Sequence, residues 1–398
     1  MPMPSSQTPL FPETDFALLP QGGAMPDFHQ KLAQLREERP VAPVQFHGKR
    51  AWILTRHADV AAAFRDERLF SARAVQEVNT FPVMGRNIMG MEGEEHRINR
   101  ALASPKFKLR EVNRVVGDLI EPLCHRLIDE FAGHPETDLV QSFNKRLPLI
   151  AICRLLGIPP EDDERLGQWA MDLISYPWDP QGALASARAF TEYLGGVLEQ
   201  RRAAPGEDLL SALASEEVEG HRLSDEEIFS FVRVLFPAGA DTTYLGLGSL
   251  MLGLLEKPGA FEALKGDSPG QARAVEEALR WEPPTALLPR MTLQGGEFQG
   301  EPLGPDTAVL LAIAGANRDP SVFDEPDRFD PSRDASGHLS FGYGNHFCLG
   351  SHLARAEMCT ALAVLAERLG EIELTSAPVM HGAVLRGPDR LLIRFSLG

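Results

Sequence analysis

Cys348 stands in FGYGNHFCLG (341–350), a loop with three glycines and two phenylalanines in a chain that has four cysteines. A cysteine that only packs in a core lies in a periodic apolar run and has no use for glycines. Gly342, Gly344 and Gly350 point to a backbone that turns sharply or lets another group approach closely. SHLARAEMCTALAVLAERLG follows with a helical pattern, so Cys348 lies just ahead of a helix N-terminus, where the amide dipoles favour a thiolate. Phe341 and Phe347 would keep water from the sulfur. Such surroundings suit a thiolate ligand to iron, whose potential is set by hydrogen bonds and burial. A plain buried cysteine in a glycine-rich turn satisfies the same spacing.

Three other groups of residues have chemical potential. Glu277 and Arg280 lie three apart in EALR and share a helix face. Alone they read as an ordinary exposed pair, but Pro283-Pro284 ends the helix abruptly just beyond, and FDEPDRFDPSR offers Arg328 as a second cation for Glu277. In PAGADTT (237–243) a proline, a glycine and two threonines oppose regular helical hydrogen bonding. An acid beside a hydroxyl there reads either as a kink with a capping threonine or as a proton relay beside a bound small molecule. In HRINR, His96 and Arg100 share a helix face. With Arg290 and His346 they make four groups able to bind two carboxylates of one ligand.

Elements that would position these residues follow from periodicity. FHQKLAQLREER is helical. VAPVQFHGKRAWILTR reads as a hairpin turning near His47-Gly48-Lys49. Helical patterns dominate from about 56 to 282, including a long one from about Ser224 to Glu256. Strand-like pieces come later, as TAVLLAIA (307–314) and DRLLIRFSL. The chain is thus mainly α with a smaller β-rich portion, not an alternating strand–helix fold. We read 1–398 as one domain, with 1–25 as an irregular, proline-rich leader.

The chain has 398 residues with 39 Lys and Arg against 56 Asp and Glu, a formal charge of −17. That excess of acid argues against nucleic-acid binding. Scattered Cys124, Cys153, Cys348 and Cys359 form no CxxC pair, so no zinc module or disulfide framework is indicated, and a reducing, cytoplasmic compartment fits. No signal peptide or membrane anchor is evident: YLGLGSLMLGLLEK is too short to span a bilayer.

Taken together, FGYGNHFCLG, the Glu277/Arg280 pair, ANRDP (316–320) with PDRF (326–329), AGADTT and EHRINR resemble the cytochrome P-450 superfamily, in its soluble bacterial form. The resemblance covers nearly the whole chain. It implies haem b held between the long distal helix and the helix after the Cys loop. Cys348 would be the axial thiolate, assisting O–O cleavage. His96, Arg100, Arg290 and His346 would bind the propionates. Phe341 would pack beside the sulfur, with Gly342 and Gly350 shaping the loop. Ala238 and Gly239 would border the oxygen groove, and Asp241 and Thr242 would deliver protons to O2. Glu277, Arg280 and Arg328 would form a structural triad.

The implied function is insertion of one oxygen atom from O2 into a lipophilic small molecule: a terpenoid, steroid, fatty acid or aromatic. The implied pocket is lined by Phe81, Met84, Val234, Ala238, Ala286, Leu287, Leu288, Val384 and Leu385. A peroxide-driven peroxygenase would lack the acid–hydroxyl pair, and a haem-based binder or sensor would not need it. No electron-transfer module is fused to the chain, so electrons come from outside, from a ferredoxin and its reductase. The basic island Arg97, Lys106, Lys108, Arg110 and Arg114 is either their docking face or an ordinary helix face. Pro237 departs from the family pattern. It removes the donor for the Arg233 carbonyl, and we expect a wider bend there.

Overall fold

The structure is a computed structural model that describes residues 8–159, 163–217, 219–220 and 222–398. Its centre is the helix Asp225–Leu255, apolar on nearly every face and buried for most of its length, as a helix without a polar face must be. Ser224 accepts from the Glu227 N–H while the Glu227 carboxylate accepts from the Ser224 N–H, a reciprocal cap. Against this helix pack Arg146–Leu156, Ser268–Trp281 and Ser351–Arg368. They share the largest apolar core.

The strand-rich portion is a four-stranded sheet in the order Val41–Phe46, Lys49–Leu54, Thr307–Leu311, Leu288–Thr292. The first two strands form the hairpin expected around His47, with Val41 opposite Leu54. Thr307–Leu311 joins the second strand in parallel and pairs with Leu288–Thr292 antiparallel, placing Leu288 opposite Leu311 and Arg290 opposite Val309. Apolar clusters cover both faces of the sheet. The mainly α architecture with a smaller β portion is therefore as expected. TAVLLAIA is a strand only through Leu311; Ile313–Ala316 turns helical.

Two other expectations are corrected. The long helix runs unbroken through 230–245, so no wider bend forms at Pro237. Proline removes one bond from the ladder of a 31-residue helix, and burial of both flanks keeps the chain helical across it. The leader is also tied down where described. Phe16 is fully buried, Asp15 bridges to Gln45 and receives the His47 and Gly48 N–H groups, and Pro20–Gly22 is a short 3₁₀ turn. Residues 1–7 lie outside the described residues.

Glu277 and Arg280 are both fully buried and joined by two hydrogen bonds, of 2.7 and 2.9 Å. Arg280 also donates to the carbonyls of Asn317 and Pro326, both at 2.8 Å. The second cation on Glu277 is not Arg328. That side chain is largely exposed and pairs with Glu325 and Asp330. Arg333 takes the place, with its Nε 3.1 Å from Glu277 and its other nitrogens on the Asp324 and Glu325 carbonyls. The chain turns between 328 and 333, pointing Arg328 to solvent and Arg333 inward; the Asp330 N–H bond to Glu277 fixes that turn. Removing a partner from a buried ionic cluster costs about 3 kcal/mol, whereas an exposed pair contributes little. We expect Arg333→Ala to lower the urea midpoint clearly and Arg328→Ala to leave it unchanged. The reverse order would return Arg328 to the triad.

Candidate active site

An apolar cavity, with about 310 Å³ open to the centre of a water molecule, lies between the long helix and the helix Ser351–Arg368. Cys348, Ala238, Gly239 and Thr242 all line it. Gly342 and Gly344 take φ of +71° and +78°, a region open to glycine at little cost. They fold the loop so that the Cys348 N–H donates to the Phe341 carbonyl at 2.8 Å. Gly350 has an ordinary φ of −84°, so sharp turning does not explain it. A Cβ there would meet no protein atom within 4 Å, and the residue borders the cavity. Its smallness leaves space for something outside the protein.

The Cys348 side chain is exposed on the cavity. Crowding by protein pushes its thiol pKa up, against the Gly350 N–H and the charges of Arg100 and Arg355. The Gly350 N–H at the helix start does favour the thiolate, as expected, and crowding by protein opposes it.

A clamp absent from the sequence reading stands behind the loop. Arg355 forks onto Glu276 at 2.6 and 3.0 Å, and its guanidinium lies 4.2 Å from the centre of the Phe341 ring. His338 Nδ1 accepts from the Ser340 N–H, so Nε2 carries the proton it donates to Glu276 at 3.0 Å. Phe341 is held by a cation over its face rather than by apolar packing alone.

The four expected cationic groups converge. His96 and His346 stack with ring centres 4.5 Å apart, and the Nε2 of each is buried without a hydrogen-bond partner. Arg290 is buried, with a 3.4 Å bond to the Pro289 carbonyl and Phe64 beneath its guanidinium. Arg100 bonds the Phe347 carbonyl at 2.5 Å. Burial first, then His96, Arg290 and Arg100, hold His346 down at about 3; burial lowers Arg290 to about 10. Unpaired donors crowded with cations suit a dianionic ligand. An apolar cavity with an exposed thiol, the orphaned His346 imidazole nitrogen and two arginines fits haem with two propionates; His96 stacks against His346 and borders the adjoining groove with Arg100.

On the opposite wall, the Thr242 hydroxyl donates to the Ala238 carbonyl at 2.8 Å. Gly239 is required by packing, since a Cβ would lie 2.8 Å from Ile152. Asp241 does not line the cavity. Its carboxyl is buried with Oδ2 unpaired, and its charge is felt by Tyr244 and opposed by Lys145. Burial raises its pKa to about 7.

Of the expected pocket residues, Val234, Ala238 and Leu288 line the cavity. The others are corrected. Ala286 and Leu287 are buried in the core beside the sheet, and both their N–H groups donate to the Val384 carbonyl. Leu385 bridges to Thr285, Met84 lies in the main core, and Phe81 packs against Gly90. Their places are taken by Gln76, Ile88, Met89, Ile152, Leu235 and Ile313, whose cavity-facing orientation only the fold sets. The sequence reading also passed over Glu282, buried against His29, Arg386 and Arg318. His29 and the two arginines hold Glu282 at about 2 against the effect of burial.

Residues 272–370 match the sequence model of the Cytochrome P450 family. Cytochrome P450 107B1 of Saccharopolyspora erythraea is 32% identical over 387 residues, covering 92% of this chain and 95% of that protein. The erythromycin C-12 hydroxylase of the same organism is 37% identical over 356 residues, covering 86% and 87%. Among solved structures, the cytochrome P450 PksS of the Bacillus subtilis bacillaene polyketide synthase superposes with a TM-score of 0.87 at 30% identity, covering 94% of this chain and 98% of that one. The chain belongs to the cytochrome P450 family and is a monooxygenase of its bacterial type. Among the described residues no helix is long and apolar enough to cross a membrane.

The folded chain holds the Asp241 proton more tightly than the unfolded chain, where the group titrates near its ordinary value of 3.8. That contribution is complete below the lower value and lost as pH rises through about 7. We expect Asp241→Asn, which cannot ionise, to gain stability relative to the wild type between about pH 5 and about pH 8, by roughly 2 to 3 kcal/mol. Denaturant titrations at the two pH values check this, and parallel profiles would count against a buried, raised carboxyl.

Proposed function

We propose that this chain is a haem-thiolate monooxygenase that takes electrons from a separate donor and inserts one atom of O2 into a lipophilic small molecule. The observation that carries the reading is an apolar cavity with an exposed thiol on one wall, a threonine hydroxyl on the other and the unpaired His346 imidazole nitrogen beside two arginines. Bound haem would supply the oxygen activation, with its iron on Cys348. His96, Arg100, Arg290 and His346 would hold the two propionates. Ala238 and Gly239 would leave room at the distal wall, and Thr242 would present its hydroxyl there. Asp241, poised near neutrality behind the helix, would gain and release a proton for that hydroxyl. Phe341, under the Arg355 guanidinium, would exclude water from the sulfur. Glu277, Arg280 and Arg333 would fix the scaffold beneath.

The donor we propose is an acidic iron–sulfur ferredoxin served by its reductase. Part of the basic island is already engaged. Arg97 pairs with Glu94 and Glu219, Arg114 with Glu111 and Glu207, and Lys106 donates to the Glu207 carbonyl. Lys108 and Arg110 remain exposed, with the exposed Leu109 between them. Lys108 shares a groove with Arg100 and Asn345 of the Cys loop. An apolar side chain between two exposed cations that pair with no carboxylate among the described residues suits an acidic partner with an apolar centre. In this reading residues 1–398 act as one domain in the cytoplasm.

The dithionite-reduced protein with carbon monoxide should show a strongly red-shifted Soret band that Cys348→Ala abolishes; the same band without Cys348 would overturn thiolate ligation. Thr242→Ala should lower product per reducing equivalent by roughly tenfold to a hundredfold, with hydrogen peroxide released instead. Unchanged coupling would favour a peroxide-driven enzyme or a non-catalytic haem protein.

A further inference from the structure

The cavity wall beyond the haem-binding groups is apolar at Ile88, Met89, Ile152, Val234, Leu235 and Leu288. Hydroxyls of Thr242, Thr243 and Thr285 interrupt it, and each can either donate or accept. Gln76 is different. It is the one amide among the described lining residues, and it lies half-buried on the helix Ala72–Asn79. Its Oε1 accepts from the Thr80 hydroxyl at 2.5 Å, four residues along the chain. That bond fixes the amide's orientation and leaves Nε2 with no hydrogen bond to the described protein.

The helix carrying Gln76 is anchored at its start. Ser71 caps it, accepting from the Ala74 N–H at 3.1 Å, and the same hydroxyl donates to Glu92 at 3.1 Å. The Ser71 backbone exchanges two hydrogen bonds with Met291 on the strand Leu288–Thr292. Gly90 leaves room for the side chain, since a Cβ there would lie 2.9 Å from the Gln76 Cβ. Gln76 is thus a preorganised donor in an apolar wall.

We propose that Gln76 sets the substrate class: its Nε2–H donates to a carbonyl oxygen on an otherwise apolar ketone or lactone, positioning the carbon skeleton in the cavity. This rests on the monooxygenase reading and adds the polarity of the substrate to it. A donor built into such a wall discriminates against an analogue lacking the acceptor, because its own hydrogen-bonding capacity then goes unmet. The expected preference is about tenfold for one neutral bond.

The test uses holoenzyme and matched triples of ketone, alcohol and hydrocarbon: cyclopentadecanone, cyclopentadecanol and cyclopentadecane, and the same triple on the androstane skeleton. Binding is read from the ligand-induced Soret shift and independently by isothermal titration. Wild type should bind the ketone about tenfold more tightly than the hydrocarbon. Gln76→Leu should bind them equally, while keeping the carbon monoxide band. Gln76→Glu, a similar-sized side chain that keeps the volume if Gln76→Leu fails to fold, should lose the ketone and retain the alcohol. Equal binding of ketone and hydrocarbon by wild type, an unchanged preference in Gln76→Leu, a wild-type preference for alcohol over ketone, or no binding by either triple would each overturn the proposal. These outcomes with an intact carbon monoxide band leave the haem-thiolate reading standing; loss of that band overturns the haem-thiolate reading itself.

Discussion

Everything on the proximal side of the cavity hangs on one buried ion pair. Glu277 and Arg280 have no exposure to water, so each must be fully satisfied by protein or the fold loses several kcal/mol. The satisfaction comes from chain far away in sequence: the Asn317 and Pro326 carbonyls, the Asp330 N–H and the Arg333 guanidinium. A helix, a turn and an irregular segment are thereby locked together. From that node the Asn317 side chain accepts from the Leu339 N–H and donates to Ser340, whose hydroxyl reaches the Leu279 carbonyl. The Cys loop begins at the next residue. A desolvated charge thus fixes where a thiol will stand.

The loop inherits that rigidity and adds its own. The backbone bond from Cys348 to the Phe341 carbonyl closes it, and the Glu276–Arg355 fork presses a cation on the Phe341 ring. The protein therefore sets the position of the sulfur. The Gly350 N–H, Arg100 and Arg355 favour its charge, and crowding by protein opposes it. A similar opposition runs at the rim, where burial, His96, Arg290 and Arg100 keep His346 neutral. Both arrangements would suit an anionic macrocycle with a central metal.

On the distal side, adjacent residues of one helix do different work because a helix turns by about a hundred degrees per residue. Thr242 faces the cavity and bonds the Ala238 carbonyl, while Asp241 is buried away from it, within the field of Lys145 and Tyr244. Gly239, just ahead of them, faces the close approach of Ile152. The run AGADTT is therefore a packing surface, an acid and a hydroxyl together, with no break in the helix.

What the sequence determined by itself was what depends on local spacing and residue type. The helices, the hairpin at His47, the extent of the long helix from about Ser224 and the glycine-bearing Cys loop all follow from patterns of local spacing. The Glu277/Arg280 face follows from helical periodicity, and the order of the motifs identified the family. Tertiary structure decided what depends on direction and burial. Arg328 and Arg333 are both arginines in one irregular segment, and only the turn at Asp330 determines which reaches Glu277. Ala286, Leu287 and Val384 are apolar residues near the cavity in chain order, yet strand and turn bonding turns them into a core, while Gln76 and Met89 face the cavity instead. Pro237 shows the same division: propensity predicts a bend, and packing on both flanks overrides it.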